Sequence, residues 1–225
     1  MTIEIAKKSA AKQALELIKD GMTVGLGSGT TAHYFIEYLI EKYKKGLKIQ
    51  ALASSLASEK LAKSGGIPLL DVYQTISIDL TVDGADEIDP SKKMIKGGGG
   101  ALVREKIMAA MSKEMVVIID ETKQVPQLGK VKLPVEIIPY GCESTRHHLE
   151  KLGYKGAWRK DNTGSLYVTD NANLILDIHF ERPRENPEKD QAQILQVPGV
   201  VDTGFFFNLA GRVIVGHLNG SIKVY

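Results

Sequence analysis

The chain has 225 residues, which at roughly 150 residues per domain points to one or two domains and excludes a small disulfide-stapled fold. Hydrophobic residues make up 43% and charged residues 25%, ordinary globular usage that can bury a core and argues against disorder. With 29 Lys and Arg against 27 Asp and Glu, the formal net charge is +2 without long runs of one sign, so nothing calls for nucleic acid.

Met1-Thr2-Ile3-Glu4-Ile5 passes at once into a charged amphipathic pattern, with no apolar h-region and no later apolar run near 18 residues. Together with the single cysteine, Cys142, which cannot form an intrachain disulfide, this leads us to expect a soluble cytoplasmic protein without a membrane partner. Apolar and small residues from Ile5 to Ile18 fall at helical spacing and end at Asp20-Gly21. A short strand at 22–25, the turn Gly25-Leu26-Gly27-Ser28-Gly29-Thr30-Thr31 and a helix through Ala32, Phe35, Ile36, Leu39 and Ile40 follow. The pattern then predicts strands at 48–53, 67–71, 77–83 and 115–120, with helices at 58–64 and 101–112. Strands alternating with helices imply an α/β fold with an open, mostly parallel, doubly wound sheet.

Beyond Val125-Pro126 prolines punctuate shorter elements: strands at 135–139, 155–159, 166–169, 174–179 and from Val200, and helices at 144–152 and 188–195. We expect a smaller α+β, ferredoxin-like domain over 129–203, with 1–128 and 204–225 forming the larger domain. In this division the terminal hairpin around Asn219-Gly220 returns to the first sheet.

Chemistry concentrates in three places. The turn at 25–31 lies between strand and helix, where free N–H groups and the helix dipole favour an anion, and hydroxyls at Ser28, Thr30 and Thr31 add donors. It lacks the lysine of a P-loop and the third glycine of the dinucleotide fingerprint. Ala53-Ser54-Ser55 stands where a ribose-binding acid would be needed, so no nucleotide cofactor is expected. Asp83-Gly84-Ala85-Asp86-Glu87-Ile88-Asp89 follows a strand, placing Asp83 at a carboxyl end, where open α/β sheets bind ligands. Its spacing does not match a calcium loop, and we take Glu87 and Asp89 as solvated loop acids or a helix-start signal. Lys96-Gly97-Gly98-Gly99-Gly100 leads into the 101–112 helix, bringing backbone close to a ligand with Lys96 as a positive charge at the entrance. On that helix Glu105 is flanked at three and four positions by Ala101, Leu102, Met108 and Ala109. Apolar surroundings favour the protonated form of a carboxyl group, which suits a general base; a buried structural acid paired with a lysine is the other reading. Lys123, after the 115–120 strand, would share the rim with these loops. His33, His147, His148, His179 and His217 show no zinc spacing, and no metal is expected.

Taken in order, GLGSGTT at 25–31, DGADEI at 83–88, KGGGGALVREK at 96–106 and DETKQV at 120–125 closely resemble the A-type ribose-5-phosphate isomerases. LPVEIIP at 133–139, VTDNANLILD at 168–177 and VPGVV at 197–201 extend the resemblance over nearly the whole chain. Small departures are Ser28 and Thr30, which exchange hydroxyl types, and Gly100, where alanine is common. The resemblance implies an isomerase interconverting ribose 5-phosphate and ribulose 5-phosphate in the non-oxidative branch of the pentose phosphate pathway. It would need neither metal nor cofactor and would act as a homodimer or dimer of dimers. It further implies that Ser28, Gly29, Thr30, Thr31, Asp83, Gly84, Ala85, Asp86, Lys96, Gly97, Gly98, Gly99 and Lys123 bind substrate, with Glu105 as base. Lys96 would stabilise oxygen charge and Asp83 move protons, while Lys123 and Lys7 assist the phosphate. The competing class is a sugar-phosphate-sensing binding module of similar fold, which would have no use for Glu105 or Lys96.

Overall fold

The computed structural model describes residues 2–225. In chain order the elements begin with α1 (Ile3–Leu15), β1 (Thr23–Leu26), α2 (Gly29–Lys44), β2 (Gln50–Ala53), α3 (Leu56–Ser64) and β3 (Leu80–Asp83). Next come β4 (Glu87–Ile88), β5 (Met94–Ile95), α4 (Leu102–Met111), β6 (Met115–Asp120) and a 3-10 turn (Glu121–Lys123). The remainder comprises β7 (Leu133–Ile137), α5 (Cys142–Lys151), β8 (Gly156–Trp158), β9 (Leu174–Ile178), α6 (Pro187–Leu195), β10 (Val200–Thr203), β11 (Phe205–Phe206), β12 (Ala210–Gly216) and β13 (Ile222–Val224). The described residues divide into two compact units: residues 2–85, 104–124 and 208–225, and residues 86–103 with 125–207.

The first unit is built on a six-stranded sheet in the order β13-β12-β6-β3-β1-β2, parallel throughout except for β13. Every residue of β3 and β6 is buried, as expected for central strands covered by helices on both faces. The Thr2 hydroxyl accepts from the Ile5 amide to cap α1, which buries an alanine stripe (Ala6, Ala10, Ala11, Ala14) while Ile5 stays exposed. Gly216 permits this close approach, since a Cβ there would run into the Ala6 carbonyl. Val24, Leu26, Val82, Val116 and Ile118 of the sheet share one core with Phe35, Ile36 and Leu39 of α2.

In the second unit β7-α5-β8-β9-α6-β10 forms an antiparallel sheet ordered β10-β7-β9-β8, the ferredoxin-like arrangement expected for the smaller domain. Its core joins Leu133, Val135 and Ile137 to Leu149, Leu176, Ile178 and Ile194. A second sheet, β11-β5-β4, made of two-residue strands, belongs to this unit as well. Residues 86–103, expected in the first domain, therefore cluster with the second unit.

Two expected strands are not formed. Over 67–71 the only pairing is a bridge from Leu69 to Ala51, because Pro68 has no N–H to continue a ladder. Residues 166–169 make isolated bridges, Leu166 to Lys160 and Val168 to Leu174, while Thr169 turns its hydroxyl to the Glu136 carboxylate instead.

Candidate active site

Parallel β1, β3 and β6 bring their carboxyl ends to one rim of the first unit, carrying residues 27–31, Asp83 with Gly84 and Ala85, and the Glu121–Lys123 turn. The Gly27 amide donates to Val82 O at 3.0 Å and its carbonyl accepts from the Ser58 hydroxyl at 2.7 Å. Gly27 has no room for a side chain, since a Cβ would strike the Asp83 carboxylate. Asp83 is fully buried, and its Oδ1 accepts from the amides of Ser28 (3.0 Å) and Gly84 (2.7 Å). The turn and Asp83 are thus one rigid assembly.

Ser28 sits at the N-cap of α2 in extended conformation, and its hydroxyl pairs with Ser54 Oγ at 2.9 Å instead of capping the helix. Gly29 follows at φ +87°, a conformation that favours glycine. Beyond it stand an exposed Thr30 and a mostly buried Thr31 at the positive end of a 16-residue helix. The Lys7 ammonium of α1 donates to Thr30 Oγ1 at 2.8 Å, bringing a cation to the same spot. Lys123 is half-buried on the 3-10 turn, which Asp120 caps by accepting from the Thr122 amide at 3.1 Å. An anion offered to this rim would meet backbone donors, hydroxyls and lysine.

α4 buries Leu102, Glu105, Met108 and Ala109 and turns Ile107 to solvent. Glu105 is 4% exposed, in the first turn directly after the glycine run. The apolar stripe read around it is therefore a buried helix face.

Within the second unit Asp86 and the glycine run come together, the Gly98 amide donating to Asp86 Oδ2 at 2.7 Å. Lys96 is 2% exposed, with its ammonium 5.4 Å from the Phe206 ring centroid. This corrects the expectation of a charge at an entrance: β5 pairs with β11, which draws Lys96 inward. Glu87 is corrected too. It is buried on β4, and its two carboxylate oxygens accept from the amides of Gly129 (2.8 Å) and Val131 (2.5 Å), bracing a loop. Asp89 closes a turn by accepting from the amides of Ser91 and Lys93. No group of three or more His, Cys, Asp or Glu among the described residues is placed to hold a metal ion.

The model of the family Ribose 5-phosphate isomerase A (phosphoriboisomerase A) matches residues 50–220. The chain belongs to this family. The Ribose-5-phosphate isomerase A of Protochlamydia amoebophila is 51% identical over 222 residues, 97% of this chain and 94% of that protein. That of Chlamydia trachomatis serovar L2 is 48% identical over 217 residues, 96% of this chain and 89% of its own. Among solved structures, the ribose 5-phosphate isomerase from Plasmodium falciparum superposes with a TM-score of 0.94 at 35% identity, covering 100% of this chain and 98% of that one. A D-ribose-5-phosphate isomerase in complex with phospho-erythronic acid has a TM-score of 0.94 at 37% identity, with 100% and 99% covered. Membership in an isomerase family favours an enzyme over the sensing module.

Four residues that hold these loops were not singled out from sequence as parts of a site. Ser54 and Ser58 stand at and beyond the end of β2, where strand order gives a positional signal. Arg159 and Tyr167 contact the glycine run from more than 60 positions away, and no local pattern points to them.

Proposed function

We propose that this ribose 5-phosphate isomerase A family member interconverts D-ribose 5-phosphate and D-ribulose 5-phosphate by proton transfer through an enediolate. The observation that carries the assignment of roles is the buried Glu105 on the first turn of α4, directly after the glycine run, in a chain of this family. Glu105 takes the proton from C2 of the open aldose and returns it to C1, breaking one C–H bond and forming another. The hydroxyl proton passes from O2 to O1, with Asp83 as the relay; its fixed Oδ1 holds the carboxylate in place for that task. Negative charge on the enediolate oxygens is met by Lys96 and by backbone donors of the glycine run. Asp86 orients sugar hydroxyls, and the phosphate rests on Ser28 to Thr31 with Lys7 and Lys123, fixing the reacting end.

The phospho-erythronic acid bound by one relative is a phosphorylated sugar acid, and its carboxylate carries delocalised charge on two oxygens as an enediolate does. We expect it to inhibit this chain competitively. No helix among the described residues is long and apolar enough to cross a membrane. Our reading is a cytoplasmic homodimer or dimer of dimers, which light scattering on the purified chain tests. A coupled assay with ribose 5-phosphate, with and without EDTA, tests the reaction. Activity should survive chelation without added nucleotide, whereas loss on chelation and return with a divalent ion contradicts a metal-free mechanism.

A further inference from the structure

Four consecutive glycines have little intrinsic reason to hold one conformation. In the second unit, however, the run is tied down carbonyl by carbonyl. Arg159 Nη1 donates to Gly97 O at 2.8 Å and to Gly98 O at 3.1 Å, and the Tyr167 hydroxyl donates to Gly99 O at 3.2 Å. The guanidinium is itself fixed. Its Nε donates to Asp177 Oδ2 at 3.0 Å and its Nη2 to Asp177 Oδ1, a planar fork that a lysine cannot reproduce. Arg159 and Asp177 side chains are 14% and 11% exposed, and Arg159 lies 5.9 Å from the Tyr167 ring centroid. Burial raises the Tyr167 pKa above its ordinary value, the Asp170 charge adding to this, so the hydroxyl remains a donor at neutral pH. Gly100, at φ +85°, leaves the space the Tyr167 ring fills, because a Cβ there would overlap it.

We propose that Arg159, braced by Asp177 and seconded by Tyr167, is a positioning residue that sets the peptide planes of residues 97–100 for the reaction. In a trans peptide the N–H of one residue points opposite the carbonyl of the residue before it. With Gly98 O held by Arg159, the Gly99 N–H points away from the guanidinium, and Gly99 itself is exposed. With Gly97 O held as well, the Gly98 amide meets Asp86. Arg159 thereby preorganises a backbone donor for the charge that develops on the substrate, without touching the substrate itself.

This inference rests on the isomerase reading, and its test keeps the two apart. Arg159→Ala, Arg159→Lys and Tyr167→Phe are assayed with ribose 5-phosphate for kcat and KM, and each is melted. Misplacing a donor by about 1 Å costs on the order of 100-fold, so Arg159→Ala should lose roughly that factor in kcat while KM moves less than about threefold. Guanidinium ion at tens of millimolar, added to Arg159→Ala, should recover at least a fivefold share. Arg159→Lys should fall between Ala and wild type, and Tyr167→Phe should lose about threefold. Because breaking a buried ion pair also destabilises the fold, a purely structural role predicts lowered melting with normal kcat per folded molecule and no rescue, and that result overturns the proposal. If Arg159→Ala does not fold, wild-type kcat in Arg159→Lys overturns it equally. Should the wild type itself not turn over ribose 5-phosphate, the functional reading fails. The positioning claim is then decided by amide exchange at Gly99 and Gly100, expected at least tenfold faster in Arg159→Lys and contradicted by no change.

Discussion

The glycine-rich segments 25–31 and 96–100 both lead into a helix, yet they are held by different means. The first is a product of regular structure: β1 delivers it, α2 carries it away, and Asp83 at the end of neighbouring β3 fixes its amide. The second lies between a two-residue strand and α4, and is held by side chains distant in sequence, Arg159 and Tyr167, with Asp86 nearer by. On our reading the segment fixed by the sheet is a preset anion cradle, so changes in it should fall on binding. One fixed by individual side chains is suited to aligning donors with the reacting oxygens, so changes in or after it should fall on turnover.

The largest expected effect lies just beyond the second segment. Glu105→Gln keeps size and hydrogen bonding but cannot accept a carbon-bound proton, and turnover should fall roughly 100- to 10,000-fold, about 3 to 5 kcal/mol of barrier. Ribose 5-phosphate should still bind, and the melting temperature should change little, because glutamine keeps the volume and hydrogen-bonding reach of the buried side chain. Near-normal turnover with lowered melting would instead make Glu105 a structural acid and erase the contrast between the segments.

Gly27→Ala probes the first segment where it meets Asp83, the proton relay of our proposal. A methyl group there displaces the Asp83 carboxylate, so about 1–3 kcal/mol of stability should be lost along with at least tenfold of kcat/KM. A variant with normal stability and kinetics would show that Asp83 need not stay where Gly27 lets it sit. Thr31→Val is milder. It should raise KM for ribose 5-phosphate roughly tenfold, the weight of one charge-assisted hydrogen bond, with kcat and folding little changed. Unchanged KM and unchanged inhibition by phosphate esters would remove the phosphate from this turn.

The smallest kinetic effect is expected at the opposite rim of the same sheet. Asp79 receives the Lys113 ammonium at 2.7 Å and the Thr23 amide and hydroxyl at 2.8 and 2.9 Å, which hold its carboxyl down at about 2. A folded-state pKa below the ordinary 3.8 means that its stabilisation is complete above that value and is lost as the pH falls toward about 2. Asp79→Asn should therefore lower the melting temperature at pH 6 by more than at pH 2.5, while kcat and KM stay at wild-type values. A kinetic defect would mean that the two rims are not functionally separate.

The same contrast explains what was legible in the sequence. The parallel sheet could be read because β1, β3 and β6 are apolar runs with helical periods between them, and the loops at their carboxyl ends followed from strand order. The burial of Glu105 was legible from spacing alone, since i±3 and i±4 neighbours define a helix face, whereas its role as base came from the family resemblance. Strands β4, β5 and β11 were not, because two residues carry no periodicity. The burial of Lys96 and Glu87 depends on those strands and was missed with them. Arg159 looks like any strand-end arginine until its partners at 97, 98 and 177 are known.

The most direct test of the proton-transfer account is the reaction of the purified chain with ribose 5-phosphate in D2O, followed by proton NMR of the ribulose 5-phosphate formed. Transfer through the Glu105 carboxylate predicts solvent deuterium at C1 of the product and, on reversal, at C2 of the aldose, in the share of turnovers in which the carboxyl proton exchanges with solvent before its return. Glu105→Gln should show negligible incorporation and turnover over the same time. Wild-type turnover and incorporation by Glu105→Gln would contradict the account.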